Sequence, residues 1–437
     1  MPWLVQHAFV PPPDFEFFKG PHSNVIYAKT GAGKTTLLLA LEEYARHQLE
    51  CLPVRWTPDL TGTPQPAGTQ LANAQFTSIL SACACQIMAE LPGDFKKHAK
   101  DGAKFSFLID FLHRFLPGSH AELLVKKVPP LKVRLANQDT PLDVIAVELT
   151  KSLNQIGFPG GIWLMVDQLD LNSEMRKQAA SQIFQSILST LSFFEIPDFH
   201  LKMCLPFELE SDLGDTTAII KERATETRIA WDAKQLRAMI EKRLQYALGD
   251  EQMRADQIYS ADLLFSWLEG CGGLSPRGWL EYFRPIFATL WDIYKTEGRS
   301  RLERREWMLD DKEWTAARKR SSLRLRFRPE SSQVTVGVNS PHTLSQEEFA
   351  LFDYLQKNEG RFCSKREIYN KAYLPFVTQG QIGTTTSDDV VQYEDLINTA
   401  ISRLRKTFEP LPKHPVFLVT KKERGYRLSL QAFREDD

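Results

Sequence analysis

A short turn near the start of the chain combines the residue types that hold phosphate groups. It contains, in order, Gly31, Ala32, Gly33, Lys34, Thr35 and Thr36. Glycines let the backbone approach an anion closely, so that successive N–H groups surround its oxygens. The ammonium of Lys34 can reach the terminal phosphates, and the hydroxyl of Thr35 can hold Mg²⁺. The turn therefore predicts a site for a phosphorylated ligand and its magnesium ion.

A carboxylate suited to the same site stands at the end of an apolar run. Residues 162–166 are all apolar, which predicts a buried strand, and Asp167 follows them directly. A nucleotide site needs such a group as the partner of the glycine-rich turn. Asp167 is therefore expected to hold a water molecule bound to Mg²⁺.

The elements that must position these residues alternate between strands and helices. Strands are predicted over residues 24–28, 51–56, 162–166 and 200–205. Helices are predicted over residues 34–49, 75–91, 105–115, 142–156 and 174–194. This alternation is typical of an α/β fold in which helices cover both faces of a parallel sheet. The 3.6-residue periodicity of residues 232–294 predicts an all-helical lid after the sheet.

Residues 20–295 resemble the AAA+/STAND branch of the P-loop NTPases. Residues 28–35 match the P-loop pattern except that Ala28 replaces its first glycine, and Asp167 matches the second nucleotide-binding motif. Residues 272–277, Gly-Gly-Leu-Ser-Pro-Arg, are similar to the second-sensor segment of that branch. The resemblance implies ATP and Mg²⁺ as cofactors, and a contact between Arg277 and the γ-phosphate.

The sequence departs from this branch at the residue after Asp167. Most ATPases of the type carry a catalytic glutamate there, whereas this chain has Gln168, which cannot act as a general base. Asp170 is the nearest alternative carboxylate. Slow hydrolysis that uses Asp170 and an ATP-binding switch with little turnover both remain open.

A second cluster of residues near the carboxyl terminus suits contact with nucleic acid. Ile397, Ile401, Leu404 and Phe408 are spaced to line one buried face of a helix. Its other faces carry the candidate DNA-contacting residues Asn398, Thr399, Ser402, Arg403, Arg405 and Lys406. A helix with an apolar back and an arginine-bearing front suits the major groove. The hairpin that follows adds the basic side chains of Lys421, Lys422, Arg424 and Arg427.

Residues from about 322 to 430 resemble the OmpR/PhoB winged-helix domain along their whole length. The resemblance rests on residues 344–352, 358–364, 401–406, 417–420 and 425–428. It implies double-stranded DNA as a partner, with Arg403 at base edges and Arg405 at phosphate. A domain used only for protein contact is the alternative. The connection over residues 374–392 is longer than usual, and the acids beside it, Glu394 and Asp395 among them, would repel phosphate unless they point away.

The 437-residue length and the formal net charge of -1 bound the remaining possibilities. Four parts are expected: an ATPase core at 1–230, a helical lid at 231–298, a charged connector helix at 299–321 and a winged helix at 322–437. The six cysteines have no metal-ligand spacing. With no secretory signal and no apolar run of roughly 18 residues, a soluble cytoplasmic protein without a membrane segment is expected.

The combination predicts a nucleotide-gated DNA-binding protein, with a STAND-like transcriptional regulator as the first hypothesis. One alternative is a DNA-dependent ATPase of an antiviral (phage-defence), DNA-loading or transposition system. Another is an ATP-locked scaffold whose winged helix binds a protein. A homo-oligomer is expected, or a partner protein that contacts the helical region between residues 60 and 158, because a minimal P-loop core does not need that region.

Overall fold

The computed structural model describes residues 8–60, 69–90, 102–118, 140–167, 169, 171, 173–219, 223–297, 308–375 and 392–432. The chain divides into two compact units, residues 1–230 and residues 231–437. Across the described residues, no helix is both long enough and apolar enough to cross a membrane.

The first unit is built on five parallel strands. They are β1 (Ser23–Ala28), β2 (Leu52–Trp56), β3 (Ile162–Val166), β4 (Phe199–Pro206) and β5 (Ala224–Arg228). Their order in the sheet is β2-β3-β4-β1-β5, and every neighbouring pair is parallel. All residues of β1 and β3 are buried, as expected for strands covered on both faces.

Helices cover both faces of this sheet. They are α1 (Lys34–Gln48), α2 (Thr69–Glu90), α3 (Gly102–Phe115), α4 (Leu142–Asn154), α5 (Glu174–Leu188) and α6 (Glu210–Ile219). Helices α2 to α6 share one apolar core with alternate strand residues such as Val25, Leu164 and Met203. Helix α1 contacts β2 and β4 and lies outside that core, on the other face. The predicted fold class, an α/β fold with helices on both faces of a parallel sheet, is confirmed.

Two details of the predicted elements were wrong. The helix predicted over residues 174–194 ends at Leu188, and a separate short helix, Leu191–Phe194, follows it. Strand β5 was not predicted, because its sequence Ala-Thr-Glu-Thr-Arg has little apolar character. It pairs only with β1 at one edge of the sheet, where a strand does not have to be apolar on both faces.

The second unit begins with four helices and continues into an α+β module. The helices are α7 (Ala233–Leu248), α8 (Ala261–Gly272), α9 (Pro276–Glu297) and α10 (Asp311–Lys319). An antiparallel sheet follows, made of β6 (Leu325–Arg328), β7 (Gln333–Val336) and β8 (His342–Thr343). Next come α11 (Gln346–Lys357), α12 (Lys365–Ile368) and α13 (Gln392–Phe408). A hairpin of β9 (Leu418–Lys421) and β10 (Gly425–Leu428) ends the module.

Close backbone contacts join the helices of this unit to its α+β module. A Cβ atom added at Gly270, near the end of α8, would lie 2.6 Å from the Cα of Pro410, so only glycine fits there. The amide of Val338 donates to the carbonyl of Cys271 at 3.2 Å. Of the connector helix expected at 299–321, the structure describes residues from 308 onward, in which α10 is helical. The guanidinium of Arg318 on α10 lies 5.5 Å from the Trp267 ring centroid and so links α10 to α8.

Candidate functional site

The glycine-rich turn leads directly from β1 into the first turn of α1. Gly31 and Gly33 adopt φ angles of 83° and 90°, a left-handed backbone that other residues rarely adopt. Gly33 is the N-cap residue of α1, and no atom lies within 4 Å of a Cβ built on it. The first N–H groups of a helix have no acceptor within the helix, and its N-terminus carries partial positive charge. The space in front of Gly33 can therefore receive an anion.

Lys34 holds its ammonium at the mouth of the turn. Its Nζ donates to the carbonyl of Ala28 at 2.9 Å and to that of Lys29 at 3.2 Å. These bonds place a positive charge beside the open N-terminus of α1. Thr35 follows with an exposed side chain, whereas Ala32 is buried against the fold and Thr36 is half-buried. The turn thus presents an ammonium, a hydroxyl and backbone N–H groups to the same space.

Asp167 lies at the carboxyl end of β3, two strands away from β1 in the sheet. Its Oδ2 is buried and has no hydrogen-bond partner among the described residues. Burial raises the pKa of the Cys204 thiol on β4; the charge of Asp167 raises it further and that of Lys34 lowers it. The charges of Asp167 and Lys34 therefore both act on the Cys204 thiol. A buried carboxylate oxygen without a donor, an exposed hydroxyl and an open helix N-terminus together fit a nucleotide phosphate chain with Mg²⁺.

The roles of three further residues of the predicted nucleotide site stay predictions. Gln168 and Asp170 lie outside the described residues, so their predicted roles stay predictions. Arg277 is exposed in the first turn of α9, in the second unit, and its contact with the γ-phosphate also stays a prediction.

The predicted DNA-reading helix is α13. Its apolar residues Ile397, Ile401, Leu404 and Phe408 are buried. Thr399, Ser402, Arg403 and Lys406 are exposed, as are Lys421, Lys422 and Arg424 on the hairpin. A guanidinium nitrogen of Arg403, Nη1, lies 3.5 Å from Oε2 of Glu347 on α11. This long contact leaves the arginine exposed on the helix surface.

Two candidate DNA-contacting residues are instead bonded to the hairpin. The Nε and Nη2 of Arg405 donate to the carbonyl of Leu418 at 3.0 and 2.7 Å, and Nη2 also donates to Oγ1 of Thr420 at 2.6 Å. The hydroxyl of Tyr426 donates to Oδ1 of Asn398 at 2.6 Å. Both side chains belong to the stripe of α13 that faces the hairpin, which sequence spacing does not reveal. Contact of Arg405 with phosphate stays a prediction, but part of its guanidinium already orients the hairpin.

The surroundings of two other side chains of the module, Arg427 and Glu394, differ from those predicted from the sequence. Arg427, expected on the surface of the hairpin, is buried, with its guanidinium 4.8 Å from the Phe362 ring centroid. Its neighbours Tyr426 and Leu428 in β10 are buried as well, so both faces of this strand are covered. Glu394 pairs with Lys365 of α12 at 3.0 Å. The negative charge of Glu394 is therefore paired with a lysine of the same module.

Glu409 was missed from the sequence although it joins α13 to the hairpin. Its carboxylate is buried and accepts from the amides of Val416, Phe417 and Leu418 at 2.8, 2.9 and 2.6 Å. Burial raises the pKa of this carboxyl group, and the three amides oppose that shift. The sequence signal that could have identified Glu409 is an acidic residue among the apolar residues that follow α13.

Comparison with known proteins gives a limited match. No protein-family model matches the chain. Sensory transduction protein RegX3 of Mycolicibacterium smegmatis is 33% identical over 94 residues, which cover 21% of this chain and 36% of that protein. The match thus spans well under half of the relative.

Two solved structures are similar to the structure of this chain. They are the ORC2 protein of Aeropyrum pernix in its ADPNP-ADP complexes, at 11% identity, and Cdc6p of Pyrobaculum aerophilum, at 12% identity. Each comparison covers 99% of this chain and 94% of the other, with a TM-score of 0.39.

Proposed function

We propose that the chain is a nucleotide-gated DNA-binding protein, and that its role is the control of transcription. Residues 1–230 form its nucleotide-binding core, 231–298 a lid, 299–321 a connector, and 322–437 the DNA-binding module. The observation that carries the nucleotide half is the arrangement of Lys34, the open N-terminus at Gly33, and the buried, unpartnered Oδ2 of Asp167.

The residues of the core would hold ATP and Mg²⁺ as follows. The backbone of residues 31–36 surrounds the phosphates, and Lys34 gives up its carbonyl acceptors to bind them. Thr35 holds Mg²⁺ directly and Asp167 holds it through water. The ion neutralises phosphate charge when it is bound. Nucleotide binding is essential to this role, whereas turnover, which also needs a general base such as Asp170, is optional.

The DNA half of the proposal rests on the exposed front of α13 and the exposed cations of the hairpin. Arg403 and Thr399 read base edges, while Lys406, Lys421, Lys422 and Arg424 meet phosphates. Arg405 and Glu409 fix the hairpin to α13, so both parts reach the duplex in one orientation. The partial match to a sensory transduction protein is consistent with a regulatory role.

The nucleotide half is tested by Lys34→Met. Loss of a charged hydrogen-bond donor is expected to weaken ATP affinity roughly 10- to 100-fold. Isothermal titration calorimetry with ATP and Mg²⁺ measures it. Lys151→Met is the matched control, since Lys151 is exposed and pairs with Glu148 on the same helix. Equal ATP affinity in the two variants would contradict the proposed site.

The DNA half is tested by Arg403→Ala in fluorescence polarisation. The duplexes are the upstream region of the protein's own gene and a random sequence, each with ATP, ADP or no nucleotide. Loss of one base contact is expected to cost about 1–3 kcal/mol on the preferred duplex and little on the random one. A change of affinity with ATP that Lys34→Met removes would support gating.

Two outcomes of the same experiment would reject the proposed role. Binding without sequence preference, with steep salt dependence and DNA-stimulated hydrolysis, favours the DNA-loading, transposition or defence alternative. An absence of DNA binding in every nucleotide state favours the scaffold alternative.

A further inference from the structure

A cleft in the second unit lies between α8 and α13. Its volume is about 700 Å³, within the range of roughly 300–1,000 Å³ that small-molecule sites occupy. Helix α8 provides Leu263 and Ser266 on one wall, and α13 provides Ser402, Arg405 and Lys406 on the other. The loop over residues 410–414 lines the same cleft. Ser402, Arg405 and Lys406 of α13 therefore face α8, whereas Thr399 and Arg403 lie outside the cleft.

The cleft is positively charged. Arg405, Lys406 and Lys413 line it, and no carboxylate is found among its described lining residues. Lys406 and Lys413 are exposed, and neither forms an ion pair with any residue that the structure describes. Cations gathered on one concave surface without a carboxylate favour an anionic ligand.

The walls of the cleft are held in place by bonds that do not depend on a ligand. The hydroxyl of Tyr426 bonds to Asn398, and the guanidinium of Arg405 bonds to the carbonyl of Leu418. In the loop, the amide of His414 donates to the carbonyl of Leu411 at 2.8 Å. Pro410 lies against Gly270 of α8. Because these groups are already ordered, a ligand would lose little affinity to ordering them.

The cleft also has an apolar part, which narrows the class of ligand. Leu263, which is half-buried, and Pro412, which is exposed, lie beside the cations. A single inorganic anion would leave these residues uncovered, whereas a ligand with a ring or sugar next to its phosphate would cover them. The phosphates of DNA share this chemistry, but α8 forms the opposite wall, so a duplex cannot follow the stripe into the cleft.

We propose that the cleft between α8 and α13 binds a phosphorylated small molecule of nucleotide size, separate from the nucleotide site of the first unit. Lys413 and Lys406 contact its phosphate, and Leu263 and Pro412 contact its ring. The coupling to DNA rests on the proposed function: Lys406 and Ser402 belong to the predicted DNA surface, so an occupied cleft lowers DNA affinity.

The binding experiment uses the full chain carrying Lys34→Met, so that the site of the first unit binds nucleotide more weakly than in the unmodified protein. AMP and inorganic pyrophosphate are the two probes in isothermal titration calorimetry. One saturable site is expected, with AMP bound more tightly than pyrophosphate because of the apolar part. Lys413→Ala is expected to weaken AMP binding about 10-fold. Lys312→Ala, which removes an exposed lysine of α10, is the matched control and should leave affinity unchanged.

A steric variant makes the test independent of charge. Ser266 is exposed on α8, so Ser266→Trp is expected to leave the fold intact, as circular dichroism can check, and to abolish AMP binding. Absence of saturable binding by both probes would overturn the proposal. So would binding that persists in both Lys413→Ala and Ser266→Trp.

A second measurement separates this proposal from the proposed function. DNA polarisation without added AMP reports the proposed function alone, whereas the calorimetry contains no DNA. Addition of AMP should lower the DNA affinity of the Lys34→Met protein. It should leave unchanged the DNA affinity of the protein that carries both Lys34→Met and Ser266→Trp. An equal effect of AMP in both proteins would overturn the assignment of the ligand to this cleft.

Discussion

Replacing Lys202 with methionine is expected to lower the free energy of unfolding of the first unit by about 3–5 kcal/mol. Lys202 lies on β4 and is 0% exposed. Its ammonium nitrogen lies within hydrogen-bond distance of four oxygens, which share its three N–H donors: the carbonyls of Phe18, Gly20 and His22, each at 2.8 Å, and Oδ1 of Asn24 at 2.6 Å. Methionine would fill the space but leave these buried acceptors without their donor, each at a cost of about 1–3 kcal/mol.

Urea denaturation followed by circular dichroism and tryptophan fluorescence would measure the loss. Lys151→Met is the control, because that side chain is 61% exposed, and a surface substitution of this kind changes stability by no more than about 0.5 kcal/mol. A Lys202→Met protein as stable as this control would show that the four hydrogen bonds contribute nothing.

The same pair of proteins also gives a pH test with a defined sign. Burial lowers the pKa of Lys202 to about 7, whereas an unfolded lysine titrates near 10.4, a value taken as roughly that of model peptides. Between these values the unfolded state binds more protons, so the stability of the unmodified protein should rise with pH across that window. The Lys202→Met variant should lack this rise.

The second large effect is expected from Glu409→Ala, at about 3–5 kcal/mol in the stability of the second unit. Three buried amides, those of Val416, Phe417 and Leu418, would lose their acceptor. The hairpin would also lose one of its attachments to α13 and would keep those through Arg405 and Asn398. Glu409→Gln keeps the shape and one acceptor oxygen, so its loss should be smaller than that of alanine.

Thermal and urea unfolding would measure both Glu409 variants. Glu330→Ala is the matched control, since Glu330 is exposed in the turn before β7. DNA affinity should fall in Glu409→Ala even where the protein is still folded, because fewer bonds then fix the orientation of the hairpin on α13. Stability equal to that of Glu330→Ala would refute the role assigned to this carboxylate.

Local sequence patterns were enough for the parts of the site that are local in the chain. The turn with Gly31 and Gly33 joins a strand directly to a helix, and the apolar spacing of α13 marks its buried face. Asp167 could be placed because an apolar strand runs straight into it. In each case the pattern and the structure it specifies lie within a single element or one turn.

The parts that could not be predicted depend on residues far apart in the sequence. Nothing near Arg405 shows that it bonds to Leu418, because that contact depends on where the hairpin folds back. The contact between Gly270 and Pro410 joins segments 140 residues apart. Lys202 did leave a signal, a lysine inside an apolar strand, but the carbonyls that receive its ammonium belong to the segment before β1.

The position of β1 in the sheet has a consequence for synthesis of the chain on the ribosome. Both neighbours of β1 are made much later, since Asn24 pairs with Lys202 on β4 and with Thr225 on β5. At about 5–20 residues per second, roughly 10–40 s separate the appearance of β1 from that of β5. During that interval an apolar strand is present as a nascent segment with neither edge paired, which is the condition that recruits chaperones or leads to aggregation. The strand that carries the glycine-rich turn is therefore made first and completed last.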